Sequence, residues 1–297
     1  MSKLFFSVLL ALLIGACNSK DVASADFTVT PATATYKAGD TAWFYFKGNP
    51  YNLTFYSGEP GHDYQYRMRT QAMGRDVLQF NSATVSSTLP AGLQVLVSTD
   101  FTGEYDSAGV ANPNVHWTDI TSRAKLATGT TSTASGQVDI SDFIAAAKPL
   151  FLAFRYTAAK TTTAQRTWTV TSLAINNIIG DSTYIFPVAT IADGGWTVIN
   201  MDSTAVKWTV SSAQLQVKGG AANSPATENW VVSRGVDLGR ALPDAGVPVK
   251  NISNNKVVSY FHIYTQPGTY TASFAGTNTT IYDSKSSLRQ VQVNITQ

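Results

Sequence analysis

Residues 267–295 read PGTYTASFAGTNTTIYDSKSSLRQVQVNI. Pro267-Gly268 is a turn signal, Tyr270 opens a strand, and VQVNI forms a second one after an intervening loop. Two strands make only half of a sandwich. Alone they would expose an apolar face and unpaired edges, an aggregation hazard. Only about 40 residues follow Lys256, against the roughly 100 that a small sandwich needs. The missing half is found at the other end of the chain. DFTVTPATATYKAGDTAWFYFKGNPYNLTFYSG, residues 26–58, reads as two strands and the start of a third. Pairing the two ends predicts a discontinuous domain, 26–74 with 256–297. Residues 75–255 are then an insertion whose ends lie close together.

The insertion is also strand-rich. LQVLVS and AQLQVK alternate apolar and polar residues, the mark of a sheet with one wet face. One helix is expected in DISDFIAAAKP (139–149), with Ser141 capping it, Asp142 at its positive end and Pro149 stopping it. The fold class is therefore all-β: a discontinuous sandwich carrying a second sandwich of about 180 residues, the size of a jelly roll. Charged residues are 13% of the chain and the net charge is +2. The charged fraction is about half of the usual value. No basic field exists to attract nucleic acid or anionic lipid. Hydroxyls and amides take the place of charges, which suits an extracellular β-protein.

The N-terminus has Lys3, then LFFSVLLALLI, then Gly15, Ala16 and Cys17. That is the layout of a secretory signal, and its apolar run is too short to span a bilayer. Cys17 is the only cysteine, so no intrachain disulfide exists. Cysteine directly after Gly-Ala resembles a bacterial lipobox. The resemblance implies cleavage of residues 1–16, lipid on Cys17 and a flexible tether over residues 17–25. Lys20-Asp21 resembles the export signal of Bacteroidota surface lipoproteins. An outer-membrane, outward-facing location is the expectation.

The PGTYT…TN ending resembles PKD and related immunoglobulin-like domains. Within the insertion, GLQVLVSTDF, HWTDIT, SGQVDISDF, KPLFLAFRYTA, RTWTV and ENWVVSRGVDL resemble galactose-binding-like and cleaved-adhesin jelly rolls. With FYSGEPGHDYQYRMR, nearly all of residues 26–297 resembles a Bacteroidota lipoprotein family of uncharacterised function. Its layout is similar to accessory lipoproteins of SusC/SusD-type uptake systems, which such a likeness implies as partners.

No motif-grade active site is present. The three histidines, His62, His116 and His262, lie in no H-E-x-x-H spacing, and no G-x-S-x-G elbow exists. Of the three, His116 is the one to watch. Hydrolysis of a glycoside needs facing carboxylates. Glu59 with Asp63, or Asp100 with Asp119, would be candidates. Asp100, Glu104, Asp106 and Asp119 are oxygen donors of the type calcium takes. No cofactor and no metal is implied. A sugar needs an exposed ring with amides and carboxylates beside it. Trp43, Trp168 and Trp208 sit in strands and are read as core. Tyr105 and Trp117, in and beside the long loop TGEYDSAGVANPNVHW, and Trp196 after ADGG are the candidate glycan-binding platforms. Arg67, Arg69 and Arg75 form a basic run beside the junction. DSA at Asp106 and DST at Asp181 and Asp202 resemble a Bacteroidota O-glycosylation motif. The expected function is a non-catalytic surface lipoprotein that binds glycan for nutrient uptake. The alternative is an adhesin-like or structural lipoprotein that binds protein, and a hydrolase is the third reading.

Overall fold

A computed structural model describes residues 21–85, 92–144, 148–180, 184–202 and 205–297. The leader, Cys17 and the Ser-Thr of both DST triplets lie outside them.

The chain enters with β1 (Phe27–Pro31), β2 (Thr35–Lys37), β3 (Thr41–Gly48) and β4 (Asn52–Tyr56). It continues through β5 (Arg75–Val85), β6 (Gly92–Ser98), β7 (Thr118–Asp119), β8 (Thr133–Ala134), β9 (Val138–Asp139) and β10 (Phe151–Ala158). Then come β11 (Thr167–Ile179), β12 (Tyr184–Thr190), β13 (Thr197–Asn200), β14 (Trp208–Val210), β15 (Gln214–Val217) and β16 (Thr227–Val232). It returns with β17 (Val247–Lys250), β18 (Ser259–Ile263), β19 (Gly268–Thr279) and β20 (Ser284–Thr296).

Two compact units result, one made of the chain up to Met68 with Pro243–Gln297, the other of Arg69–Leu242. The junctions thus fall at 68/69 and 242/243 and not at 74/75 and 255/256. Backbone pairing explains the shift. Gln71 bridges Arg240, Ala72 N donates to Gly239 O and Ala241 N to Thr70 O, so residues 70–72 and 239–241 run side by side within the second unit. On the return, β17 pairs with β4 of the first unit.

The first unit has two sheets, β1-β3-β18 and β17-β4-β19-β20-β2. Their inner faces meet in an aromatic core that includes Phe44, Phe46, Phe55, Tyr264 and Phe274. Strand β3 alternates strictly, with Ala42, Phe44 and Phe46 buried. Trp43 therefore points outward and is 39% exposed, which corrects its reading as core. TAWFYF is apolar at nearly every position, so a period of two cannot tell which phase faces in. The expected tether is also corrected at its end. Val22 and Ala25 are buried, Val22 N donates to Asp283 Oδ2 (3.3 Å), and Lys285 Nζ donates to Val22 O (2.9 Å). Asn278 Nδ2 binds the carbonyls of Ala23 and Ser24 (3.0 and 2.8 Å). Side chains of the distant β19–β20 hairpin thus hold the backbone of Val22, Ala23 and Ser24, which local composition does not reveal.

The second unit packs the sheet β13-β16-β10-β6-β7 against the sheet β14-β15-β11-β5-β8, to which β12 and β9 add. Alternate residues of both sheets, among them Phe80, Val95, Phe154, Val170, Leu215 and Val231, fill one core. Trp168 and Trp208 belong to it, as expected. Tyr156 is wholly buried with its hydroxyl on Arg166 O (2.8 Å), and burial pushes its pKa up to about 12. At one end of this unit Asp76 (β5) faces Asn177 (β11) in register, both without solvent exposure. Asp76 Oδ2 accepts from Gly239 N (3.1 Å), and Asn177 Nδ2 donates to Ala72 O (2.9 Å) and Arg240 O (3.3 Å). The pair thus fastens the two chain ends of the unit. Asp76 Oδ1 and Asn177 Oδ1 have no hydrogen-bond partner.

The helix expected over 139–149 is one 3-10 turn, Ser141–Phe143, after which Ile144 is extended. Residues 145–147 lie outside the described residues. Ser141 does not cap it: its hydroxyl accepts from Asp76 N (2.9 Å), and Asp142 instead pairs with Arg123 (2.8 Å). The α-helical turn that is present, Ser107–Val110, sits in the long loop and is capped by Asp106, whose Oδ1 accepts from Gly109 N (2.8 Å).

Candidate functional site

The outer face of the β13-β16-β10-β6-β7 sheet is divided in two. Residues 99–117 fold over one half and close a satellite core of Leu96, Phe101, Val110, Phe151, Trp230 and Val232, against which Tyr105 and Trp117 pack. Both are half-buried. Tyr105 meets Phe101 edge-on and donates its hydroxyl to Ser233 O (3.1 Å). Trp117 lies 5.3 Å from the rings of Phe101 and Trp230 and donates Nε1–H to Val110 O (3.2 Å). The structure therefore brings two of the three platform candidates together. Trp196 stands apart: it packs on the main core, 6.0 Å from Phe154, with Nε1–H on Ile191 O (3.1 Å). Gly194 permits this fold-back, since a Cβ there would collide with the indole of Trp196 (2.5 Å).

The ends of the covering loop are clasped by Asp100. Its carboxylate accepts from His116 N (2.9 Å), from His116 Nδ1 (2.7 Å) and from the Ser98 hydroxyl (2.8 Å). Burial would raise its pKa, but these hydrogen bonds and the imidazole outweigh burial and bring it down to about 2. The His116 side chain is otherwise in water. Ser98, buried, bonds the aspartate and not the ring, so the three residues make a loop clasp and not the order of a nucleophilic triad.

The other half of the face is open and polar. Arg155 on β10 lies in register with Gln94 on β6 and Trp230 on β16. Its guanidinium forks onto Glu228, Nε to Oε1 at 3.0 Å and Nη2 to Oε2 at 2.7 Å, and reaches Gln94 Oε1 at 3.2 Å. Gln94 Nε2 donates to Asp119 Oδ2 (2.8 Å), and Trp230 Nε1 donates to Glu228 Oε1 (2.8 Å). One row, Asp119–Gln94–Arg155–Glu228, thus crosses four strands beside the Trp230 and Trp117 rings. Period-two geometry puts these residues on one face. For Glu228, burial raises the pKa, but the Arg155 and Trp230 hydrogen bonds and the Arg155 charge prevail and hold it below the usual range. Asp119 is lowered likewise, burial being outweighed by Thr121, Gln94 and Arg155. Beside the row is a shallow depression of about 680 Å³ lined by Thr157, Ala158, Met201, Asp202, Thr227 and Glu228. Asp202 Oδ2 accepts from Glu228 N (2.8 Å). Such a surface offers paired acceptors and donors to hydroxyls and a ring edge to C–H groups. Arg155, Gln94, Glu228 and Trp230 were missed in the sequence. The available signals were the alternation of LQVLVS, which puts Gln94 on the polar phase, and the single charge of PLFLAFRY, since a charged residue within an apolar strand marks the wet face.

The remaining candidates disperse. Glu59 bonds His262 Nε2 (2.7 Å), while Asp63 caps a 3-10 turn through Gln65 N (2.8 Å). His62 Nδ1 lies 2.7 Å from Ala245 O. Arg67 stacks 3.9 Å over Tyr64, Arg69 reaches Leu242 O (3.3 Å), and Arg75 reaches Gln137 (2.8 Å). Asp100, Asp106 and Asp119 are engaged in loop bonds, and among the described residues no group of three or more His, Cys, Asp or Glu is placed to hold a metal.

The family model described as domain of unknown function DUF5017 matches residues 16–196, more than half of the chain. The chain belongs to this family. No curated protein and no solved structure matches it. The DUF5017 match contains Gln94, Trp117, Asp119 and Arg155 and ends before Glu228 and Trp230, so the row is completed by a strand beyond it.

Proposed function

We propose that this DUF5017 protein is a lipid-anchored surface protein that binds glycan without cleaving it, in the service of an outer-membrane uptake system of the SusC/SusD type. The observation that carries the reading is the row Asp119–Gln94–Arg155–Glu228 beside Trp230 and Trp117 on an open sheet face. Sugars are recognised by such combinations of planar polar groups and rings. Glu228 and Asp119 are both held ionised, which favours acceptors of hydroxyl hydrogen bonds over a general acid. The leader and Cys17 supply the address.

Glycan arrays and affinity gels on the full chain test it. Glu228→Gln and Trp117→Ala should each weaken the bound glycan at least about tenfold, or ~1.4 kcal/mol, with the second unit, which carries the site, still melting cooperatively. No glycan bound, or binding indifferent to both variants, refutes the site. Sugar release from polysaccharide would refute the non-catalytic reading.

The protein-binding alternative has its own observation. On the outer face of β1-β3-β18, Trp43, Tyr45 (50% exposed), Phe261 (50%) and Ile263 form an apolar strip, with Trp43 and Phe261 opposite one another and 5.2 Å apart. With 150–250 Å² per ring, roughly 400 Å² of apolar surface is open, a size that marks interaction sites. Strand β18 is an edge, so a strand of a protein partner could add there. Co-purification of a membrane partner that Phe261→Asp abolishes, without glycan binding, would favour this reading.

A further inference from the structure

The β19–β20 hairpin is the longest ladder of the first unit, paired from Gly268↔Ile295 to Thr279↔Ser284. Its tip is a tight turn: Thr280 N donates to Asp283 O (2.9 Å), and Tyr282 N and Asp283 N both reach the Thr280 hydroxyl (3.3 and 3.2 Å). That turn pushes two large apolar side chains outward. Ile281 is 89% exposed and Tyr282 65% exposed, the former more than any other large hydrophobic of the described chain. Turn tips are ordinarily polar, and nothing in the turn geometry asks for Ile-Tyr.

The position of this tip is the second observation. The described chain begins beside it: Val22 N is held by Asp283 Oδ2 and Val22 O by Lys285 Nζ, while Asn278 fixes the next two carbonyls. Cys17 lies five residues before Val22, a span of at most about 18 Å. A lipid on Cys17 therefore brings the membrane to this end of the unit and to no other.

We infer that Ile281 and Tyr282 insert into the outer leaflet as a second membrane contact beside the lipid anchor. This rests on the lipoprotein reading above. An aliphatic side chain enters the acyl boundary while a tyrosine keeps its hydroxyl among the headgroups. Lys285, engaged with Val22 O, lies at the same end of the ladder and places a positive charge near the headgroups. The two points together fix the tilt of the first unit on the membrane, which a single flexible anchor does not.

The test uses the full, acylated chain in vesicles of phosphatidylethanolamine and phosphatidylglycerol. With Cys17 acylated, Ile281→Cys supplies the one free thiol for an environment-sensitive NBD label. Thr265→Cys, before the other end of β19 and about 40 Å away, is the control. The label at 281 should shift to the blue and lose most of its emission to nitroxide on lipid acyl chains, while that at 265 does neither. Co-flotation with a water-like spectrum at 281 overturns this inference and leaves the anchor intact. Failure to float overturns the anchor and the inference with it.

Discussion

Replacing Asp76 by Asn should make this protein more stable at neutral pH, against the usual effect of altering a buried polar residue. Asp76 has no exposure, one hydrogen bond from Gly239 N, and an Oδ1 with no partner. Burial pushes its pKa to about 6, opposed by the Gly239 bond and reinforced by the charges of Asp139 and Asp237. The folded value lies above the ordinary 3.8, so the folded state binds the proton more tightly than the unfolded one. The cost of burying the carboxylate is complete above about pH 6, falls between pH 6 and 4, and is gone below. The rise from 3.8 to about 6 corresponds to about 3 kcal/mol. Asn keeps an oxygen for Gly239 N and puts an N–H donor where Asp76 Oδ1 and Asn177 Oδ1 are both unpaired, much as the protonated acid does. Urea unfolding followed by tryptophan emission reads the second unit, which holds five of the six tryptophans. Asp76→Asn should gain about 2–3 kcal/mol at pH 7.5 and nearly nothing at pH 4. A loss at pH 7.5, or a difference that does not change with pH, would refute the picture of an uncompensated carboxylate.

Neighbouring residues of β3 should differ in the size of their contribution. Phe44→Ala, in the core, should cost about 3–5 kcal/mol, whereas Trp43→Ala on the open face should cost about 1 or less, both measured by denaturant unfolding of the first unit. Gly74→Ala should destabilise the second unit by about 1–3 kcal/mol, because a Cβ there would strike Asn177 Oδ1 and lie 2.7 Å from Ile178 O; the melting temperature reports it.

Strand content and the pairing of the chain ends were legible because both depend on local pattern and on the need to cover edges. The phase of an apolar strand was not. In TAWFYF every residue is acceptable to a core, and only pairing with β18 and packing on Phe274 decide that Phe44 faces in and Trp43 out. The helix over 139–149 failed for a different reason. Ser141 and Asp142 found tertiary partners, Asp76 N and Arg123, that compete with the capping bonds a helix would need. The platform candidates lie in or beside loops, and a loop position alone suggests exposure. Tyr105, Trp117 and Trp196 each gave their polar atom to a backbone carbonyl and their ring to a core, which is how long loops rich in aromatic residues become ordered.

The covering loop also determines where a ligand can lie. Trp230 is nearly buried beneath Trp117, and the row from Asp119 to Glu228 begins where the loop ends. Trp117 is thus shared between the satellite core and the open half of the face, and its position depends on the Asp100–His116 clasp sixteen residues apart in sequence. Loosening the clasp would displace the ring without touching any residue of the polar row. Affinity for a ligand on this face is therefore tied to the closure of a loop that is held by the satellite core and, at its two ends, by one carboxylate accepting three hydrogen bonds.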